Sequence, residues 1–311
     1  MRWGTTMTIP YYTADDIRQV LSAERARALL TEALRSDFDP ASDPARSNIP
    51  VEHGHLLLMP ASVGADVGVK LVGVAPDNPA QNLPRIHALY VLFSAETLQP
   101  VAIMDGSVLT TIRTPAISAI AADALAASEI HHCVVFGSGP QAIAHVEALS
   151  HIRDISHFTL CARNETTREE ALGTLRAAGF RIDAGSPEMV SDAQLVVCAT
   201  SATTPLFTAE LIQPGTCVVA MGTHEPTARE IPGPLFAGAQ VVVEDLATAR
   251  REAGDIVLAE AEGYRAELTT LRSLLAGSLK RDATRVQIFK GVGMSWQDAV
   301  VAGAIHRTLQ Q

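Results

Sequence analysis

An apolar strand pattern that ends in two closely spaced glycines constrains this chain more than any other feature. Segment 131–136 is followed at once by a glycine-rich turn and the start of a helix. The residues of this turn are Gly137, Ser138, Gly139, Pro140, Gln141 and Ala142. Gly137 permits the tight turn, Gly139 leaves room for a phosphate, and Ala142 lets helix and strand touch. Such a turn presents backbone N–H groups and a positive helix end to a dinucleotide pyrophosphate.

The rest of the chain supports this interpretation, although a lone glycine motif also fits any tight strand-to-helix turn. Further strand-like runs follow at 158–161, 195–199, 216–221, 240–243 and 286–289. Helical or loop segments separate them, and this alternation predicts a parallel sheet with right-handed crossovers. We therefore expect an α/β fold with a Rossmann-type doubly wound parallel sheet.

The end of the second predicted strand indicates the coenzyme. NAD-selective folds usually place an Asp or Glu there to bind the ribose 2′-hydroxyl. This chain has Arg163 and Asn164 instead. A guanidinium suits a 2′-phosphate, and the missing carboxylate removes a repulsion that would exclude it. The sequence favours NADP (NADPH) over NAD, with NAD possible.

Composition narrows the class of protein. The 311 residues suit two domains, and the net charge of -10 argues against nucleic acid as a partner. We find neither an apolar run long enough for a membrane span nor a secretory leader pattern, so we expect a cytoplasmic location. The four cysteines lie singly in apolar runs, as expected for buried reduced thiols. His131 and His132 lack further ligands, so we expect surface residues and no metal site.

The region before the dinucleotide motif is long enough for a domain of its own. It carries helical periodicity over 15–36 and strand-like runs at 55–59, 68–74, 87–94 and 100–104. We expect an α+β substrate-binding and dimerisation domain over 1–118 with an antiparallel-leaning sheet. Residues 119–291 would form the NAD(P)-binding domain. The tail 292–311, with a helix at 295–309, would fold back onto the first domain.

Three basic residues of the first region have unusual positions. Lys70 interrupts a valine-rich strand pattern. It is either a buried ligand-binding residue or an edge-strand lysine that prevents aggregation. Arg113 precedes Pro115, which either starts the helix predicted at 116–127, with Thr114 as its cap, or kinks a continuous helix. Arg46 lies in a polar loop, where a solvated arginine is the default interpretation.

Several blocks of this sequence closely resemble the ornithine cyclodeaminase/mu-crystallin family. They include VGVKLV at 67–72, MDGS at 104–107, the turn at 137–142, GTHEP at 222–226 and FKGVG at 289–293. They occur in the family's order over nearly the whole chain. The resemblance implies a two-domain homodimer joined through the non-Rossmann domains, with a small amino or imino acid bound facing the nicotinamide.

The resemblance also assigns roles to residues. It implies that Arg46, Lys70 and Arg113 hold the substrate α-carboxylate, which agrees with the chemistry of guanidinium and ammonium groups. Met59 is placed in the same substrate-binding set, and Lys70 and His224 are the candidate catalytic residues. Besides the turn, Arg163 and Asn164, the expected cofactor-binding residues are Thr114, Thr200, Ser201, Met221, Gly222, Lys290 and Gly291.

One residue departs from the cyclodeaminase pattern. Ornithine cyclodeaminases have an aspartate where this chain has His224, and a histidine supplies no fixed negative charge for a diamine's distal ammonium. The family it resembles also contains alanine dehydrogenases and reductases of cyclic ketimines. The resemblance therefore implies an NAD(P)H-dependent oxidoreductase that reduces a cyclic ketimine such as Δ1-pyrroline-2-carboxylate or Δ1-piperideine-2-carboxylate. The alternatives are an ornithine or lysine cyclodeaminase, an amino-acid dehydrogenase, or an NADPH-binding protein with little catalysis. His224 itself is either a proton donor or a packing residue.

Overall fold

The described residues form five consecutive strands before residue 106, and helices recur among the later strands. The computed structural model describes residues 8–81 and 83–311. The elements in chain order are β1 (Tyr11–Tyr12), α1 (Ala14–Val20), α2 (Ala23–Arg35), β2 (Ser47–Val51), β3 (Gly54–Val63), β4 (Asp66–Val74), β5 (Ile86–Ser94), β6 (Pro100–Asp105), α3 (Gly106–Leu125), β7 (His132–Phe136), α4 (Pro140–Ser150), β8 (His157–Cys161), α5 (Glu165–Ala177), β9 (Ile182–Ala184), β10 (Leu195–Cys198), β11 (Cys217–Ala220), β12 (Gln240–Val243), α6 (Leu246–Glu252), α7 (Gly254–Ala261), β13 (Leu268–Thr270), α8 (Leu271–Leu275), β14 (Gln287–Lys290) and α9 (Ser295–Leu309).

These elements group into two compact units. The first unit takes the described residues of Met1–Ala33, together with Ser42–Arg113 and Met294–Gln311. The second unit takes Leu34–Ala41 and Thr114–Gly293. One boundary between the units falls after residue 113, inside α3 and five residues before the predicted domain end at 118. The other falls after residue 293, two residues beyond the predicted end at 291. The domain roles given to 1–118, 119–291 and 292–311 stay predictions.

The second unit contains an eight-stranded sheet in the order β13-β12-β14-β11-β10-β7-β8-β9, and its strand pairs are parallel. The expected Rossmann-type sheet is confirmed. The strand order reverses between β7 and β10, and ligands of open α/β sheets bind at such a switch point, outside the carboxyl ends of the strands. The run predicted at 286–289 forms β14, an inner strand between β11 and β12.

The first unit contains a six-stranded sheet in the order β1-β6-β5-β4-β3-β2. Its strands pair antiparallel, as expected, except that β1 and β6 are parallel. Burial alternates along β3 and β4, so one face of this sheet is buried and the other is more exposed. Helix α9 packs on β3, β4 and β5. The helix predicted at 295–309 thus belongs to the first unit.

Two predicted helices have different bounds. The periodic segment 15–36 forms two helices, because Leu21 is extended and Ser22 accepts a hydrogen bond from the Arg25 N–H through its hydroxyl. The helix predicted from Ala116 starts at Gly106, where the Asp105 carboxylate accepts hydrogen bonds from two N–H groups of the first turn. Pro115 lies inside this continuous helix, so Thr114 is not its cap.

Helix α3 is long and apolar enough to cross a membrane by length and composition, but 72% of its most apolar window is buried inside the protein. The expectation that no apolar run is long enough for a membrane span is therefore wrong for this helix. A core helix passes the same test, and the cytoplasmic location stays a prediction. The four cysteines are free and buried, as expected. His131 is exposed, as expected, but His132 is less exposed than a surface residue should be. It begins β7, is half-buried, and its Nε2 lies 2.8 Å from the Thr159 hydroxyl oxygen.

Helix α9 lies so close to β4 that a side chain at Gly303 would displace the Asp66 carboxylate. A Cβ at Gly303 would lie 1.9 Å from Oδ1 of Asp66, whose carboxylate pairs with Arg307. Gly303→Ala should therefore lower the free energy of unfolding by about 1–3 kcal/mol. Gly173→Ala, at an open helical position, should raise it by about 0.5–1 kcal/mol. Urea denaturation checks both values, and equal effects would contradict the close approach of α9.

Candidate functional site

The turn after β7 has the backbone geometry that its two glycines allow. Gly137 has φ +115°, and a Cβ there would lie 2.6 Å from the Ala199 carbonyl oxygen at the end of β10. Only glycine fits this close approach. A Cβ at Gly139 would instead have no protein atom within 4 Å. Pro140 occupies the first turn of α4 and Ala142 is fully buried. The structure thus brings the turn to the switch point with open space over Gly139, which fits a pyrophosphate.

The second strand-to-helix connection adjoins this turn. The Ser138 and Thr167 hydroxyl oxygens are 2.8 Å apart, which ties the turn to the first turn of α5. Asn164 caps α5, because its side-chain oxygen accepts a hydrogen bond from the Thr167 N–H. Arg163 is exposed, one residue before this cap. Gln141 is half-buried in the first turn of α4.

A buried carboxylate that sequence analysis did not single out connects the ends of β10 and β11. Glu230 is fully buried. One of its oxygens accepts hydrogen bonds from the Thr200 N–H and hydroxyl, both at 2.7 Å, and the other accepts from the Gly222 N–H at 2.6 Å. Burial raises the pKa of Glu230. The Thr200 N–H and hydroxyl and the Gly222 N–H thus donate to Glu230. The neighbouring Ser201 is exposed.

Lys290 was predicted to bind the cofactor, and the structure gives its ammonium group internal partners. Lys290 Nζ donates to the Thr223 carbonyl oxygen at 2.7 Å and lies 2.9 Å from Oδ2 of Asp255. Asp255 accepts the N–H groups of Glu230 and Ile231 through its other oxygen. Both charged side chains are fully buried. Lys290 therefore positions the backbone just before His224, and direct contact with a cofactor stays a prediction.

Tight packing explains two of the other predicted residues. A Cβ at Gly291 would lie 2.3 Å from the Met221 sulfur, and a Cβ at Gly222 would lie 2.1 Å from the Thr200 carbonyl oxygen. Gly222 thus lets the ends of β10 and β11 approach each other, and Gly291 leaves room for the Met221 side chain at the end of β14. Thr114 is buried in α3, and its carbonyl oxygen accepts a hydrogen bond from the Ser118 hydroxyl. His224 is half-buried.

The predicted substrate-binding residues lie in the first unit. Lys70 is on β4, an inner strand, which excludes the edge-strand interpretation. It lies directly between Met59 of β3 and Tyr90 of β5 on the buried face. Arg113, at the end of the α3 segment in this unit, is also buried. The structure therefore brings Lys70 and Arg113 together on the buried side of the six-stranded sheet.

An aspartate that sequence analysis missed joins these two cations. Asp298 of α9 is completely buried, with Oδ2 2.7 Å from Lys70 Nζ and Oδ1 3.3 Å from Arg113 Nε. Lys70 also donates to the Thr110 hydroxyl at 3.1 Å, and Arg113 donates to Oε1 of Gln297 at 3.0 Å. An acidic residue directly before the apolar run 299–305 is the sequence signal that could have indicated a buried charge.

The charged groups of this site shift one another's pKa values. Burial lowers the pKa of Lys70 to about 7, while Asp298 raises it and Arg113 and Arg46 lower it. The two cations hold the pKa of Asp298 below its usual value despite its burial. Arg46 is half-buried and lies near enough to Lys70 to act on it. The cluster of Lys70, Arg113 and Asp298 carries one net positive charge when all three are ionised.

Comparison with known proteins identifies the family. The sequence model of the ornithine cyclodeaminase/mu-crystallin family matches residues 11–311. The chain belongs to this family. The match covers the glycine-rich turn, the cation cluster and the segments that Glu230 joins.

Members of the family with established names align over nearly the whole chain. A Δ1-pyrroline-2-carboxylate reductase of Colwellia psychrerythraea is 28% identical over 310 residues, covering 94% of this chain and 97% of that protein. An alanine dehydrogenase of Archaeoglobus fulgidus is 28% identical over 300 residues, covering 94% and 93%. The solved structure of an archaeal alanine dehydrogenase dimer with bound NAD superposes with a TM-score of 0.91 at 28% identity, covering 98% and 97%.

Proposed function

We propose that this chain is an NAD(P)H-dependent reductase of a cyclic ketimine carboxylate, with Δ1-pyrroline-2-carboxylate or Δ1-piperideine-2-carboxylate as substrate. The reaction adds a hydride to the imine carbon and a proton to the nitrogen, giving the cyclic amino acid and NAD(P)+. The similarity to a Δ1-pyrroline-2-carboxylate reductase supports this proposal.

The observation that carries the proposal is the buried cation cluster. Lys70 and Arg113 share one carboxylate, Asp298, which leaves one positive charge unbalanced on the buried side of the sheet when Lys70 is protonated. A buried unbalanced charge is costly unless a counter-ion accompanies it. A small carboxylate is such a counter-ion, and Arg46 is a third cation, near enough to Lys70 to lower its pKa. The cluster therefore fits the single carboxylate of an imino acid.

The proposed roles of the residues follow from this charge. The bound coenzyme supplies the hydride. Lys70, Arg113 and Arg46 bind the carboxylate, orient the C=N carbon and withdraw electron density from it. Met59, beside Lys70, contributes an apolar wall. An imidazole can donate a proton near neutral pH, and we assign this role to His224 toward the imine nitrogen.

The assay that tests this function follows NADPH and NADH oxidation with both cyclic ketimines. We expect turnover with at least one of them. No coenzyme oxidation with either ketimine would overturn the proposal. Tight NADPH binding without turnover on a panel of 2-oxo and imino acids would instead indicate a binding protein.

A second candidate is an amino-acid dehydrogenase, which the similarity to an alanine dehydrogenase favours. The same carboxylate clamp serves both reactions, because 2-oxo acids and cyclic imines carry a carboxylate beside the reacting carbon. NADH oxidation with pyruvate and ammonium, at a higher kcat/KM than with either cyclic ketimine, would make this the better assignment. Ammonia release from ornithine would indicate a cyclodeaminase.

We propose NADPH as the preferred coenzyme, bound through Arg163. Arg163 is exposed at the end of β8, beside the cap of α5, where the ribose of a dinucleotide lies in this fold. Arg163→Asp should raise KM for NADPH by about 10–100-fold and change KM for NADH by less than about threefold. Arg181→Asp, at another exposed arginine, is the control. Equal losses with both coenzymes would rule out a 2′-phosphate contact.

We also propose a homodimer formed through the outer face of the six-stranded sheet. Leu56, Leu71 and Leu89 are exposed on that face, and Leu71 lies directly opposite Leu89. Large exposed apolar patches mark interaction sites. Light scattering should give twice the mass of one chain, and Leu71→Glu should give a monomer. A wild-type monomer would contradict this assembly.

A further inference from the structure

The first turn of α9 holds both buried cations of the first unit. Asp298 contacts a different cation with each oxygen, Lys70 Nζ at 2.7 Å and Arg113 Nε at 3.3 Å. Gln297, its neighbour in the helix, accepts a second hydrogen bond from Arg113 at 3.0 Å. Lys70 and Arg113 belong to different elements, β4 and α3, so their spacing depends on this turn.

The position of this turn is itself fixed from another segment. Met294, the residue directly before α9, makes no capping hydrogen bond through its side chain. Asp43 takes this role, since its Oδ2 accepts the Trp296 N–H at 3.1 Å and its carboxylate also accepts the Ser295 N–H. Asp43 lies three residues before Arg46. The first turn of α9 thus contacts Asp43, in the segment that contains Arg46, as well as Lys70 and Arg113.

Charge explains why an aspartate is needed at position 298. Two buried cations side by side repel each other, and burial disfavours the charged form of the lysine. The groups facing Lys70 are Asp298 from α9, Arg113 and Thr110 from α3, Arg46 from the loop before β2, and Met59 and Tyr90 from the flanking strands. Among these Asp298 is the anion, because burial keeps the pKa of Tyr90 well above its usual value.

We propose that Asp298 is a positioning residue for the substrate carboxylate, which keeps Lys70 charged and holds its ammonium beside the Arg113 guanidinium. This inference rests on the proposed function, in which both cations bind that carboxylate. Asp298 does not itself face the substrate, since both of its oxygens are used by the cations.

The test replaces Asp298 with asparagine, which keeps the shape and removes the charge. KM for the cyclic ketimine should rise by about 10–100-fold, with the NADPH dissociation constant unchanged. The charged form of Lys70 binds the carboxylate, so KM rises as pH increases through the pKa of Lys70. Because Asp298 raises that pKa, the inflection in D298N should move to lower pH by about one unit or more.

Asp66→Asn is the matched control. Asp66 is a second carboxylate that ties α9 to β4, through Arg307, and no cation of the cluster contacts it in the described residues. D66N should keep the wild-type pH inflection. If D66N shifts it equally, or if D298N retains the wild-type KM and inflection, the inference is wrong.

Two further measurements test the inference if D298N does not fold or if the protein shows no turnover. If D298N does not fold, Asp298→Glu keeps the charge but moves the carboxylate, so KM should still rise several-fold while the pH inflection stays near the wild-type value. An unchanged KM in this variant would overturn the inference. Calorimetric binding of pyrrole-2-carboxylate to the coenzyme-loaded protein needs no turnover. Wild-type binding that D298N loses, without ketimine reduction by the wild type, would refute the proposed function and leave the role of Asp298 supported.

Discussion

Replacing Lys70 with methionine should lower kcat/KM for the cyclic ketimine by about 10²–10⁴-fold while the protein still folds. The loss combines two effects: the carboxylate loses a charge-assisted hydrogen bond, and the imine carbon loses a nearby cation that favours hydride addition. Methionine has a similar length and fits the apolar surroundings that Met59 and Tyr90 provide on either side. Asp298 keeps Arg113 as its partner in the variant.

The chain offers a matched control for this variant. Lys280 is exposed and lies outside the cation cluster, so Lys280→Met should leave kcat/KM unchanged. Steady-state kinetics with NADPH, together with a fluorescence titration of the coenzyme, separates loss of substrate binding from loss of coenzyme binding. Full activity of Lys70→Met would show that Lys70 has no role in the site. A parallel loss of NADPH affinity would instead mean that the variant disturbs the whole fold.

The sequence reveals Lys70 because a charged residue inside a valine-rich strand pattern is costly to bury. Its partner could not be predicted in the same way. Asp298 lies 228 residues further along the chain, in a helix whose first turn favours an acidic residue for unrelated reasons. Local periodicity shows which residues are buried, but it does not show which buried charges meet.

The same limit applies to the second unit. The glycine-rich turn and the alternating strands predict a parallel sheet because each signal is local. Glu230 and Asp255 stabilise the ends of β10, β11 and β14 through contacts that only the assembled sheet creates. Helix ends were less predictable still, since the serine that separates α1 from α2 lies in a segment whose apolar periodicity continues unbroken.

Lys290→Met should lower the free energy of unfolding by about 3–5 kcal/mol, the cost of leaving a buried carboxylate without its cation. Asp255 and Lys290 are both completely buried, 2.9 Å apart. Methionine also leaves the Thr223 carbonyl oxygen without its donor. Urea denaturation followed by circular dichroism measures the loss, with Lys280→Met as the exposed control. A change below about 1 kcal/mol would mean that this ion pair contributes little.

A second substitution separates the lost charge from lost packing. In Lys290→Met/Asp255→Asn the amide keeps the oxygen that accepts the Glu230 and Ile231 N–H groups, and no uncompensated charge remains at that position. The double variant should therefore recover part of the stability. If it is as unstable as the sum of the two single variants, packing rather than charge explains the loss.

The loss in Lys290→Met should also depend on pH, because Lys290 acts on Glu230 as well. Burial raises the pKa of Glu230, and Lys290 lowers it. Without Lys290 the folded-state pKa of Glu230 rises further above its unfolded value, so the folded state binds a proton that the unfolded state releases. Such a group favours folding below its unfolded pKa and loses that contribution as pH rises through its folded pKa. The destabilisation should therefore be greater at pH 8 than at pH 5, and equal losses at both values would show that Glu230 does not sense the charge of Lys290.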